Sequence, residues 1–373
     1  MTIHEGIRGS RSRSSGFSLV ELLLALALGL VVVTGIVQLF VGNSQTYNIL
    51  NGQARLQESA RFALELISQA ARSAGYFGCA PERNKVVKGL VANWEQLPEF
   101  DITRIIQGHD DVDGAWNPSW IPHTGGTAMV PGNAIELDDV VEGTDVVVFR
   151  GIQSPGWRLL EVLQPDGEPK IAAPGGNAGI QPNDVVMLAD CEQGAVFRVS
   201  NVVVIGDEAR LEYDTTTSTT DPYANFHQVQ TPAGVVPFTL SITSRSYGPD
   251  ATVGLLESTY FYVAQSEVGE DAAGNPVRSL WQKVGNQPPV ELVQGIEDLQ
   301  ILYGVDRTLN NDVPNANAYV PFDELPDPDD PSSVVSLRVT VVANSVDPVT
   351  NDGQPLRRAF SKTILLRNAN PEA

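Results

Sequence analysis

The chain opens on two hydrophobic patterns joined without a break. From Phe17 to Val41 nearly every position is apolar, and the run carries a single formal charge, Glu21. As a helix rising 1.5 Å per residue it would be about 37 Å long, against about 30 Å of bilayer hydrocarbon, so the run predicts a transmembrane helix. From Asn43 the sequence turns polar, yet Leu56, Ala60, Ala63, Ile67, Ala70 and Ala74 recur at steps of three and four, the stripe of an amphipathic helix. Phe62 and Leu66 are expected to widen the stripe, with Arg55, Glu58, Arg61 and Glu65 pairing locally on the solvent side. Gly75 supplies a stop. One continuous helix of about 87 Å is therefore expected from Phe17 to Ala74, with Gly29, Gly35 and Gly42 as the places where it is free to bend.

Beyond Cys79 the pattern changes to short alternating or apolar runs divided by Gly, Pro, Asn and Asp, which read as strands and turns. The clearest are "TDVVVFRG", "NDVVMLADC", "AVFRVSNVVVI", "LLESTYFYVAQ", "SLWQKVG", "IEDLQILYGVD", "VVSLRVTVVANS" and "AFSKTILLRN". Long polar loops are expected over 108–145, 213–235, 269–277 and 308–333. The fold class is α+β: a long N-terminal helix whose second half packs on an antiparallel sheet. No fixed repeat period is visible, which disfavours solenoids and propellers.

Charge and cysteine content narrow the function classes. Forty-five acidic against 24 basic residues leave a formal charge of -21, which repels phosphate backbones and disfavours nucleic acid as a partner. Cys79 and Cys191 are the only cysteines and form no CxxC spacing, against a zinc ribbon or thioredoxin-type motif. The four histidines are scattered, with no HExxH, serine elbow, Walker loop or GxGxxG, so neither an enzyme nor a bound cofactor is expected.

The leader before the apolar run holds Arg8, Arg11 and Arg13 against Glu5, which keeps it cytoplasmic by the positive-inside rule and sends the rest of the chain across the membrane. No A-x-A cleavage site follows the run. The small residue suited to a scissile peptide, Gly16, lies before it, so cleavage between Gly16 and Phe17 would keep the helix and place a new amine four residues from Glu21. A carboxylate in a membrane helix costs up to about 3 kcal/mol and marks a function or a partner.

Gly16, Phe17 and Glu21 opening an apolar run after a basic leader resemble the class III signal of type IV prepilins. Further on, "ARSAGYFGC", "DVVMLADCEQGAVFRVS", "LQILYGVD" and the terminal "LLRN" resemble the PilW group of minor pilins. The sequence departs from many members in placing Ser14 and Ser15, not Lys or Arg, directly before the glycine. The resemblance implies a leader, 1–16, removed by a membrane prepilin peptidase that also N-methylates Phe17. The rest divides into a membrane half of the helix, 17–41, an amphipathic half, 42–75, and an exported β-rich domain, 76–373. It also implies a type IV pilin-like fold and a low-abundance subunit of the inner membrane and pilus. Such a subunit joins other minor pilins and the major pilin to initiate or cap assembly, with a large tip adhesin as a further partner. Glu21 would bring subunits together. A type II secretion pseudopilin is a second reading, and a pilus-anchored adhesin or ligand-binding module a third.

In an oxidising compartment Cys79 and Cys191 are expected to pair as a staple between helix exit and sheet. Closing a loop of roughly 110 residues stabilises a fold by about 4 to 5 kcal/mol in the chain-entropy account. "GHDDVDGAW" places Asp111, Asp113 and Gly114 at EF-hand-like positions, but His109 stands at position 1 and Trp120 at position 12. It reads, like "DPDDP", as a solvated acidic turn, with Asp111 and Asp113 the only weak calcium candidates. Trp94, Trp116 and Trp120 read as loop covers over the core, with a contact surface as the alternative.

Overall fold

The computed structural model describes residues 18–78, 86–88, 100, 102, 104–112, 140–152, 156–165, 167–213, 225, 227–231, 234–238, 246–271, 273–285, 287–307, 315–326, 333–350 and 354–368. One helix, α1 (Leu19–Ser73), leads into strands β1 (Val86–Lys88), β2 (Ile106–His109), β3 (Val146–Ile152), β4 (Trp157–Arg158), β5 (Lys170–Ala172), β6 (Val185–Ala189), β7 (Gly194–Arg198), β8 (Asn201–Ile205), β9 (Glu208–Glu212), β10 (His227–Thr231) and β11 (Gly234–Phe238). The C-terminal part holds β12 (Thr252–Glu270), β13 (Pro276–Val284), β14 (Val290–Gln294), β15 (Ile296–Val305), β16 (Ala318–Val320), β17 (Val334–Asn344) and β18 (Arg357–Leu365). The chain is α+β, with an antiparallel β domain behind a long N-terminal helix, as its patterning predicts.

β12, 19 residues long, organises a nine-stranded sheet. Thr252 pairs with β4 and β6, and Thr259 with β3 and β13, so successive parts of one strand serve different neighbours on both edges. β14 closes the sheet beside β13, and β1 joins β7 in the one parallel pairing among the described strands. A second sheet runs β16-β15-β17-β18, a third β5-β9-β8, and β10 pairs with β11.

The helix docks where its pattern permits. Leu56, Ala60, Ala63, Ile67 and Ala74 are buried, as the stripe predicts, and share one core with Leu337, Val339, Val341 and Ala343, the inward row of β17. Small residues let the backbone come close: a Cβ on Gly52 would stand 3.2 Å from atoms of Ser345 and Val349. Gly29, Gly35 and Gly42 sit in open space and do not interrupt α1.

Several expectations need correction. Phe62 does not widen the stripe; it is exposed, whereas Leu64 and Ala71 are buried, and Leu66 and Ala70 are half-buried. Glu65 pairs across the fold with Lys362 of β18 at 2.8 Å, beyond the local pairing expected of it. "AVFRVSNVVVI" is two strands, not one. Val199 N–H donates to Asp184 and Ser200 N–H to Glu212, so the chain leaves the large sheet at β7 and enters the small one at β8. The expected 213–235 loop contains β10, and the 308–333 loop contains β16 and a 3-10 turn, Phe322–Glu324. The 269–277 loop shrinks to a turn because β12 and β13 run to Glu270 and from Pro276.

Candidate assembly interface

Ser18 caps α1 through its carbonyl, which accepts from Leu22 N–H at 3.1 Å. Glu21 follows in the first turn, where a carboxylate complements the helix dipole. An 18-residue window of the helix has a mean hydropathy of 2.6 and none of it is buried. Thr34, the hydroxyl within this run, donates to Leu30 carbonyl at 2.7 Å, so it presents little polarity to lipid. The first half of α1 is thus an apolar rod that meets no partner among the described residues, and Glu21 is its only formal charge. Gly16 and Phe17, the expected cleavage pair, lie outside the described residues.

The other end of the rod is fixed to the domain. Gly75 adopts φ +74°, a left-handed turn that ends the helix, and its N–H donates to Arg150 carbonyl at 2.8 Å. Asn368, from the C-terminal "LLRN", donates to Ala74 carbonyl at 3.0 Å. The segment after the last strand therefore meets the helix exit. No local sequence signal announces that contact.

Gly78, next to Cys79, stands close to β6: a Cβ there would be 3.2 Å from Thr252 Oγ1 and 3.9 Å from Ala189 Cβ. Cys191 begins the β6–β7 turn, in which Asp190 accepts from Glu192 and Gln193 N–H at 2.8 Å each. Cys79 itself lies outside the described residues, as do Asp113, Trp94, Trp116, Trp120 and all of "DPDDP".

The acidic stretch around Asp111 has a structural role in the described part. Asp111 takes φ +46°, and its N–H donates to Asp145 Oδ1 at 3.0 Å. Asp145 Oδ2 accepts from Ile301 N–H at 2.7 Å, and Asp110 Oδ2 from Asp323 N–H at 2.9 Å. Burial pushes Asp145 up to about 6 and takes His109 down to about 4, the latter aided by Arg150. These carboxylates bind backbone, and among the described residues no group of three acids, histidines or cysteines is placed to hold a metal.

Along the distal half of α1, Phe62, Arg55 and Glu58 face β14 and the 344–347 segment across an open groove of about 1040 Å³. One position before Ala63 and two after Ala60, Phe62 lies about 100° and 160° round the helix from those core residues, off the buried stripe.

Two family profiles match this chain. Residues 11–37 match the prokaryotic N-terminal methylation motif, which spans Gly16, Phe17, Glu21 and the start of α1. Residues 260–355 match the type IV pilus-assembly protein W family, covering the second half of β12 and the strands through β17. No curated protein and no solved structure matches the chain. In its C-terminal strands the chain matches the PilW family of type IV pilus-assembly proteins, and with its prepilin-type methylation signal and apolar N-terminal helix it is a type IV pilus-related, pilin-like protein.

Proposed function

We propose that this chain is a minor pilin, a non-enzymatic subunit that helps initiate or cap type IV pilus assembly. The observation that carries the reading is α1: one unbroken helix whose first half is bare and apolar with Glu21 in its first turn, and whose second half is built into the domain. A bare half of this kind needs lipid before assembly and other helices after it. In this reading prepilin peptidase cuts between Gly16 and Phe17 and methylates Phe17. The domain then waits in the periplasm, anchored in the inner membrane, until Glu21 meets the amine of a neighbouring pilin, minor or major. It acts with other minor pilins in a membrane or tip complex that initiates or caps the filament, with a large adhesin as a further partner. The match over 260–355 favours this reading over a secretion pseudopilin.

The approach of Gly78 to Ala189 supports a Cys79–Cys191 disulfide that ties helix exit to sheet. Substituting Glu21→Ala tests the assembly mechanism. Membrane export should persist while the amount of this chain in sheared pili falls at least about tenfold, the equivalent of about 1.4 kcal/mol of lost pairing. Undiminished incorporation of Glu21→Ala would remove the pairing role.

A further inference from the structure

The groove beside Phe62 has a composition that the pilus reading does not use. Six consecutive residues, Pro289 to Gln294, line it. Successive side chains of a strand point to opposite faces, so six in a row means that the groove runs along the edge of β14, not over one of its faces. Among the described strands, β14 is the terminal one of the large sheet and pairs with β13 alone. Its outer edge offers main-chain donors and acceptors to an occupant, the arrangement to which an extended peptide adds as one more strand.

The walls define the chemistry of that peptide. Phe62 and Val290 are 54% and 55% exposed, two apolar anchors on opposite sides. Among the described residues that line it, Glu58, Glu267, Glu291 and Asp347 stand against one cation, Arg55. Glu291 is held in place: Oε1 accepts from the Ser266 and Ser279 hydroxyls at 2.6 Å each, and Oε2 from Glu267 N–H at 3.0 Å. Burial alone would raise this carboxyl, but hydrogen bonds from Ser266, Ser279, the Glu267 backbone and Gln294 outweigh it and hold the group below its ordinary value. The groove therefore contains a fixed anion beside an open strand edge.

We propose that this groove docks an extended, lysine- or arginine-bearing segment of a partner protein. The segment adds to β14 as a strand of about six residues, roughly 20 Å. Its apolar side chains rest on Phe62 and Val290, and its cations face Glu58, Glu267, Glu291 and Asp347. The inference goes beyond the pilus reading, and purified protein tests it whether or not the chain enters a filament.

The probe is a fluorescent peptide of alternating lysine and valine, eight residues long, titrated by anisotropy into the full chain in detergent. A glutamate–valine peptide and a lysine–valine peptide N-methylated at every backbone amide serve as controls; the latter keeps the charge but lacks strand N–H groups. Saturable binding of the lysine–valine peptide alone is expected. It should weaken at least about tenfold in a Glu58→Lys, Asp347→Lys double variant, as loss of two exposed charge pairs implies. Both substituted positions are exposed, and an unchanged melting curve would verify the fold. Equal binding of either control peptide, or binding unaffected by the charge reversals, would overturn the proposal. So would light scattering that shows the chain associating with its own copies through these residues.

Discussion

Asp145 holds two stretches of backbone with one carboxylate, joining the 110–112 turn to β15. Burial, with Asp110 and Asp298 adding repulsion, raises it to about 6 against the backbone hydrogen bonds that lower it. An unfolded aspartate titrates near ~3.9. Because the folded value is the higher one, the stabilisation is complete below about pH 4 and is lost as pH rises through about 6, at up to about 1.4 kcal/mol per pH unit. Asp110, Asp184 and Glu257 are also raised, chiefly by burial, and act with the same sign. His109, taken down to about 4, acts with the opposite sign over the same window, so the Asp145 contribution is read against the parent chain: Asp145→Asn should remove a downward component from the slope of the thermal midpoint between pH 4 and about 6.5. A variant with the full slope would assign it to other carboxyls. Gly108 makes a second test: a Cβ there would collide with the Tyr303 hydroxyl end and lie 2.8 Å from Phe322 Cβ. Gly108→Ala should cost about 1 to 3 kcal/mol by overpacking, seen as a lowered midpoint. Gly42→Ala, in open space, should leave the midpoint unchanged. Glu21 is legible in the sequence because its pattern is local. Asp145 is not, since its partner Ile301 is 156 residues away.

Helix α1 was legible as an element because its two patterns, wholly apolar and then striped, have no competing reading at that length. Phe62 escaped because it sits among stripe residues in the sequence although helical geometry turns it off the buried stripe. The β7–β8 split was hidden for a different reason. Two β-branched runs separated only by Val199 and Ser200 look continuous, and what divides them is pairing with distant Asp184 and Glu212. The join between helix exit and sheet gives the prediction at this scale. Peptide mapping without reductant should find Cys79 linked to Cys191, and Cys191→Ser should lower stability by a few kcal/mol, up to about 4 to 5 in the chain-entropy account. Two alkylatable thiols in protein taken from the cell envelope would contradict it.

The whole molecule divides its labour along one helix. The β domain buries one face of the distal half of α1, while the apolar half meets no partner among the described residues. Fold class was readable from the switch between helical and alternating periods. The assignment of strands to three sheets and a hairpin was not, because a period of two marks a strand but not its neighbour. In the proposed function the role of the bare half depends on one chemical event, removal of the basic leader before Phe17. Mass spectrometry of pili sheared from cells tests it most directly. The account predicts a peptide from this chain beginning at N-methylated Phe17. A chain confined to the membrane fraction with the Met1 leader still attached would contradict it.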